Sequence, residues 1–313
     1  MLKQKFSRNR WINNLNPCVS VVIVNYNAGL LLTDCVDAAL EQTQQVIVVD
    51  NASSDSSLSE LTREFPSEHC LQIIRLDKNV GFAAGCNIGL KAATASFILF
   101  LNPDCILAPG AVDRLLQVIK QDNYIGMVGG RLLNSDGSEQ GGSRRAIPTP
   151  WRSLVRALGL YRLAKYWPRL FFDFHLHQQP LPEKPIEIEA ISGALMLVRR
   201  QAIEEVGAWD EDYFLHCEDL DWCMRFRQRG WKIIFVPDVQ ILHHKGACSQ
   251  ARPIFVAWHK HRGMMRFYQK FFHDQYPAIL MWLVFIGVWM RFAAVVTFHT
   301  ISYLGSLAGL RRG

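Results

Sequence analysis

The sequence predicts an α/β protein with a doubly wound, mostly parallel sheet flanked by helices and an apolar helical extension at the C-terminal end. Three observations lead there. Apolar runs without polar alternation recur at residues 19–24, 46–49 and 96–101, as strands buried on both faces require. Segments of helical period separate them, so strand and helix alternate over about 110 residues. Finally, residues 277–310 are rich in Leu, Ile, Phe and Trp.

The elements follow in order. Residues 1–17 form a basic lead-in (Lys3, Lys5, Arg8, Arg10) that closes at Pro17 and lacks the apolar stretch of a secretory signal. The strand at 19–24 runs into Asn25-Tyr26-Asn27. Residues 30–42 carry Leu31, Leu32, Cys35, Val36, Ala39 and Leu40 at helical spacing. The strand at 46–49 ends in Asp50-Asn51-Ala52-Ser53-Ser54-Asp55, and a helix follows. A third strand is expected at 71–76, and the glycine-rich turn at 79–89 feeds another helix. The strand at 96–101 stops at Asn102-Pro103-Asp104, because proline cannot donate to the ladder.

From residue 143 the texture changes. Arg144, Arg145, Arg152, Arg156, Arg162, Lys165 and Arg169 accompany a single acid, Asp173. Trp151, Leu154, Val155 and Leu158 make an apolar stripe beside them. Residues 143–185 therefore read as a basic amphipathic insertion, suited to a membrane surface or packed on the domain. The sheet is expected to resume at 188–198, with a short strand at 233–236. In the apolar segment 277–310, Arg291 falls midway. A mid-bilayer arginine costs roughly 2.5 kcal/mol or more, so one or two helices lying in or on one leaflet are expected. These features divide the chain into residues 1–17, a domain at 18–250 and a membrane-associating helical region at 251–313.

Composition narrows the class. The 313 residues carry a net charge of +6 and 50% hydrophobic residues, compatible with one large α/β domain and some affinity for anionic surfaces. Eight cysteines form no CxxC pair, so reduced core thiols are expected rather than zinc sites or disulfides. No GxGxxG follows the first strand, which counts against hydride transfer.

Chemistry is expected past the carboxyl ends of the strands, where open α/β sheets bind ligands. Asp104 is placed there to take a hard divalent cation and, through it, a diphosphate. Asp50, with Asn51 and Ser53, crowds the neighbouring strand end and could accept hydrogen bonds from a base or ribose. In the 79–89 turn, glycines permit close backbone approach to a ligand. Residues 207–225 pack six acids among aromatics, with Glu218 and Asp219 pointing in different directions on a helix. His243 and His244 end an apolar run and are candidate metal ligands beside Asp104.

Five ordered motifs carry a resemblance: VDNASSD at 49–55, NVGFAAGCNIG at 79–89, NPD at 102–104, SGALMLVRR at 192–200 and EDLD at 218–221. Over residues 19–249 the chain resembles the family-two glycosyltransferases of the GT-A fold, and within them the bacterial rhamnosyltransferase-type members. The resemblance implies that Asp50 binds the nucleotide base, Asp104 the metal and donor diphosphate, and that Asp219 is the catalytic base with Glu218 beside it. Asn25, Tyr26, Asn51, Ser53, Asn79, Gly81, Gly85, Asn87, Asn102 and Gly193 complete the candidate donor-binding set. Trp209, Asp210 and Asp221 are candidate acceptor-side residues, and Asp104, His243 and His244 the candidate metal ligands. Asn102 departs from the pattern, since aspartate often stands there.

The implied reaction is inverting transfer of a sugar from a nucleotide-diphosphate donor, deoxythymidine-diphosphate-rhamnose, to a lipid-linked glycan acceptor. The implied cofactor is Mg²⁺ or Mn²⁺. The implied place is the cytoplasmic face of the bacterial inner membrane, peripheral or monotopic, in O-antigen, lipopolysaccharide or capsule synthesis. Transfer of galactose or N-acetylglucosamine, or nucleotidyl transfer in the same crevice, are the alternatives. A basic module binding nucleic acid or membrane would leave the acids at strand ends unexplained, so no nucleic-acid partner is expected.

Overall fold

The computed structural model describes residues 16–244, 246 and 252–310. Most of the basic lead-in and the expected boundary at residue 250 lie outside the described residues. The first half follows the expected alternation: β1 (Asn16–Asn25), α1 (Leu31–Leu40), β2 (Thr43–Asp50), α2 (Ser57–Glu64), β3 (Leu71–Arg75), α3 (Phe82–Ala92) and β4 (Phe97–Leu101). Then come β5 (Cys105–Leu107), α4 (Ala111–Ile119), β6 (Ile125–Leu133), β7 (Arg144–Arg145) and α5 (Pro150–Ala157). The chain returns through β8 (Ile186–Glu187), β9 (Ala190–Ile191), β10 (Leu195–Arg199), α6 (Arg200–Val206), α7 (Glu218–Gln228) and β11 (Lys232–His243). It ends in α8 (Pro253–Phe272) and α9 (Ala278–Leu310).

The main sheet has the order β3-β2-β1-β4-β10-β6-β11-β5, with β8 added on β11. Its first four strands are mutually parallel. Beyond them it is mixed, because β10 runs antiparallel to both β4 and β6. Residues 188–198 are not one strand: the chain breaks at Ser192-Gly193, leaving β9 paired with β7 in a separate small sheet. The expected short strand at 233–236 is instead twelve residues long. A register shift between Val236 and Gln240 accommodates Pro237, so pairing continues where proline signalled a stop.

Alternation along the strands fills both faces. Val22, Val24, Ile47, Val49, Ile98 and Phe100 face a cluster that includes Trp209, Trp222 and Phe226. Val21, Ile23, Val46, Val48, Leu99 and Leu101 face another, closed by Leu32, Val36, Leu115 and Ile119. Helix α3 lies unusually close to the sheet: a Cβ on Gly89 would stand 2.3 Å from a Val22 methyl, and one on Gly85 2.8 Å from a Val24 methyl.

Four of the insertion's cations are paired with acids, two of them far off in sequence. Arg144 pairs with Glu139, Arg145 with Asp219, Arg152 with Glu189 and Arg156 with Asp173. Helix α5 is capped by Thr149, whose side chain accepts from the Arg152 N–H, and it buries Val155. Ser153 hydrogen-bonds Tyr268 of α8 at 2.6 Å, so this helix docks on the domain. Arg162, Lys165 and Arg169 stay exposed beyond it.

The apolar tail is one unbroken helix rather than two, and Arg291 does not interrupt it. Its first turns join the core through Met281 and Val284. Farther along it presents Met290, Phe298 and Ile301 to solvent. Residues Ala278–Ser302 are long and apolar enough to cross a membrane.

Candidate active site

Three adjacent strand ends build the site. β1 ends at Asn25, which registers opposite Asp50 at the end of β2; β4 ends one residue before Asn102. The Asn102 N–H donates to the Ala194 carbonyl at 3.0 Å. Next to Ala194, the Gly193 N–H donates to the Asp219 carboxylate at 3.2 Å. From β2 to β10 is three strand spacings, roughly 14 Å. The structure therefore brings Asp50, Asp104 and Asp219 to one sheet edge, within reach of a single extended ligand.

Asp50 is buried. Its carboxylate accepts from Asn25 Nδ2 at 2.7 Å and from the Ser53 N–H at 3.2 Å. Asn25 also donates to Ser53 and Ser57, yet its own Oδ1 meets no donor. Two left-handed residues, Asn27 and Ala52, turn the chain directly after these strands. Asn51 ties the next loop down: it donates to the Gly81 carbonyl at 3.1 Å and accepts from the Val80 N–H at 2.8 Å. Asn79 accepts from the Gly81 N–H. Gly81 is required by its φ of +92° and by the Phe214 carbonyl, which would lie 2.7 Å from any Cβ. Tyr26 and Asn102 are half-buried at the rim.

Other expected ligand contacts are packing instead. Gly85 admits Val24. The Asn87 amide is consumed by the backbone of Trp209, at 2.9 and 3.0 Å, and by Glu211 at 2.8 Å. Trp209 is buried against Phe100 and Trp222, so it offers no surface to an acceptor. Asp221 is fully buried and pairs with Arg225 and Lys270, each at 2.6 Å. Lys270 also grips Asp210, which Arg266 holds at 3.0 Å. These acids neutralise cations of α7 and α8 and fasten the loop before α7, a role that their spacing alone did not reveal.

Glu218 and Asp219 divide as their positions on a helix require. His216 and Cys217 both adopt left-handed φ, at 69° and 72°, immediately before α7, a strained entry for non-glycine residues. Glu218 turns inward. Burial, and then the charge of Asp219, push its carboxyl up to about 8, and its Oε2 finds no donor. Glu218 is thereby biased toward its neutral form. Asp219 is offered ionic partners: the Arg145 guanidinium and the Gly193 N–H on Oδ2, and the Leu220 N–H at 2.8 Å on Oδ1.

The candidate cation-binding residues are set by β4, β5 and β11. Antiparallel pairing aligns His243 with Cys105, and the His244 N–H donates to the Asp104 carbonyl at 2.9 Å. Among the described residues, Asp104, Cys105 and His243 form the cluster able to hold a metal ion; the His244 ring is outside it. His243 Nε2 stands 3.2 Å from Asp104 Oδ1, an ion-pair distance, although Oδ1 gains no hydrogen bond. Gln140 explains this. Its amide nitrogen donates to Asn134 and to the His243 carbonyl, which turns Oε1 toward His243 Nδ1 at 2.6 Å. In the neutral imidazole Nδ1 then carries the proton, and Nε2 faces a carboxylate oxygen, acceptor against acceptor. A divalent cation between them satisfies both, so these residues fit one.

Gln140 was not legible in the sequence, because only the fold brings it to His243. Replacing it with alanine frees the ring and is expected to weaken Mn²⁺ binding about 10- to 100-fold, measured by titration calorimetry on the folded variant. Arg145 was hidden differently, since its charge read as part of the surface stretch. Cys105 carried no ligand signal: it is buried in the apolar core, its thiol 3.6 Å from the Ala194 carbonyl.

A sheet whose parallel half ends in an acidic, cation-competent edge is the arrangement of the GT-A fold, the class of glycosyltransferase to which solved structures like it belong. Two solved structures share the fold. One is GalNAc-T7 with UDP, GalNAc and Mn²⁺ (TM-score 0.56, 21% identity, 74% of this chain and 44% of that one). The other is the mannosyltransferase PcManGT from Pyrobaculum calidifontis with GDP-Man and Mn²⁺ (TM-score 0.55, 16% identity, 95% and 81%). The sequence model described as "Glycosyl transferase family 2" matches residues 20–207, and the chain belongs to that family. A curated relative, the N-acetylglucosaminyl-diphospho-decaprenol L-rhamnosyltransferase of Mycobacterium tuberculosis, is 28% identical over 253 residues, 76% of this chain and 80% of its own length.

Proposed function

We propose that this glycosyltransferase moves rhamnose, with inversion, from deoxythymidine-diphosphate-rhamnose to a lipid-linked glycan in cell-surface polysaccharide synthesis. The carrying observation is the shared edge of Asp50, Asp104 and Asp219, one acid for each part of such a reaction. Asp50 and Asn25 hold the base and ribose. Asp104 and His243 hold the cation, which when bound neutralises the diphosphate. Asp219 takes the acceptor's hydroxyl proton as that oxygen attacks the anomeric carbon; the bond to the diphosphate breaks and the nucleoside diphosphate leaves. No second carboxylate is assigned as a covalent nucleophile, which supports single displacement. The rhamnosyl choice rests on the curated relative, whose name also specifies a lipid diphosphate acceptor.

The membrane reading rests on α8 and α9. An aromatic series runs from Phe214, beside the Gly81 turn, to Phe255 at 5.7 Å; farther along α8, Trp258 meets Trp289 and Phe292 of α9 at 5.5 and 5.7 Å. Trp282, Leu283 and Ile286 continue the exposed apolar surface. We place the protein at the cytoplasmic face of the inner membrane, with residues 251–313 as its membrane-associating part and the domain at 18–250.

The test is transfer to a polyprenyl-diphosphate N-acetylglucosamine in detergent with Mn²⁺, comparing deoxythymidine-diphosphate-rhamnose with UDP-galactose and UDP-N-acetylglucosamine. Rhamnosyl product of inverted anomeric configuration is expected, with at least tenfold preference over the other donors, a modest discrimination for an enzyme site. Preference for a different donor sinks the rhamnosyl assignment, and retained configuration sinks single displacement.

A further inference from the structure

The insertion that reads as a surface element sends one residue into the active site. Arg145 lies on β7, and the β7–β9 pairing sets it opposite Ala190. Its Nη2 ion-pairs with Asp219 Oδ2 and reaches the Ile191 carbonyl at 3.4 Å. Gly193 donates to the same Oδ2 at 3.2 Å, and it must stay small, since a Cβ there would meet Asp219 Cβ at 3.3 Å. Oδ2 thus has both lone pairs engaged. Oδ1 accepts the Leu220 N–H at 2.8 Å and keeps one lone pair.

We propose that Arg145 is a positioning residue: it turns and neutralises the Asp219 carboxylate so that Oδ1 receives the acceptor's hydroxyl proton. The inference rests on the assignment of Asp219 as the base. The surroundings make the countercharge necessary. Glu218, Cys217 and Cys223 are the acidic groups whose titration Asp219 opposes, and all three are buried on or beside its own helix. From the β9–β10 turn comes only the neutral Gly193 N–H. Arg145 brings the positive charge from β7. Without it, an ionised Asp219 stands in a half-buried pocket of acids, and its proton affinity rises.

The experiment compares Arg145→Met, Arg145→Lys and Asp219→Asn in the full chain by pH–rate profile, after melting curves establish folding. For Arg145→Met the acidic limb of kcat is expected to move upward by about one unit or more. At pH values below the limb kcat falls about tenfold, it recovers as pH rises past the displaced limb, and the donor KM changes less than threefold. Arg145→Lys keeps the charge but not the fork, and its limb stays within half a unit of the parent. A wild-type profile for Arg145→Met overturns the proposal, as does a loss carried wholly by donor KM, which would make Arg145 a donor-binding group. If Arg145→Met does not fold, Arg145→Lys decides: a parental limb supports the proposal and a displaced one overturns it. Normal turnover by Asp219→Asn would instead remove the base assignment itself, so the two failures are distinguishable.

Discussion

Replacing Asp219 with asparagine is expected to lower kcat about 100- to 10,000-fold, the range for loss of a positioned general base. The fold should tolerate the change. An amide oriented with its carbonyl toward Arg145 and Gly193 preserves both contacts on the Oδ2 side. Its nitrogen then faces the Leu220 N–H, a local mismatch of about 1 kcal/mol. Donor binding should be nearly unchanged, because in the proposed reaction Asp50 and Asp104 hold the nucleotide end. The measurement is single-turnover transfer at saturating donor, together with donor affinity by calorimetry. Turnover within threefold of the parent would reject Asp219 as the base. Glu218 is not expected to substitute for it: burial biases that carboxyl toward its neutral form and leaves it little exposed to an acceptor.

Asp104→Asn is expected to be the second large effect, lowering kcat about a hundredfold or more, as loss of charge stabilisation at a leaving group does. Its informative feature is a divergence between activity and stability. In the parent protein, at a pH where the His243 ring is neutral, with Nδ1–H donated to Gln140, Asp104 Oδ1 and His243 Nε2 are two acceptors 3.2 Å apart. An asparagine amide offers Nε2 a donor, adding a hydrogen bond of about 0.5–1.5 kcal/mol. Without metal the variant should therefore melt at the same temperature as the parent or higher. Its melting curve should no longer respond to Mn²⁺, whereas the parent gains stability by mass action as the ion binds. Scanning calorimetry with and without Mn²⁺ checks this. An undiminished Mn²⁺ shift in Asp104→Asn would show that the cation sits elsewhere.

The chain shows how local pattern and long-range contact divide the information. Residues 96–101 and 46–49 read as buried strands because no polar alternation interrupts them, and they flank β1 on either side in the parallel half of the sheet. Asp50 and Asp104 were legible for the same reason, since a strand end fixes where the next side chain emerges. The 207–225 segment was harder. Its six acids looked alike in sequence, yet one faces a guanidinium at the crevice, one is buried with its carboxyl pushed upward, and two answer to Lys270 on a helix about fifty residues away. The basic stretch misled in the opposite sense. Seven cations beside one acid read as excess charge, whereas Glu139, Glu189 and Asp219 reach four of them, with Asp173, across the fold.

By itself the sequence determined the parallel half-sheet, the ligand edge, and the identity of the acids at strand ends, because hydrophobic period and proline stops act within a few residues. Only the tertiary structure decided which acid is buried and which meets a guanidinium, which histidine faces Asp104, and that Gln140 and Arg145 lie at the candidate site. Those outcomes depend on burial and on partners tens of residues away, and no local pattern encodes the field that a side chain meets once the chain has closed around it.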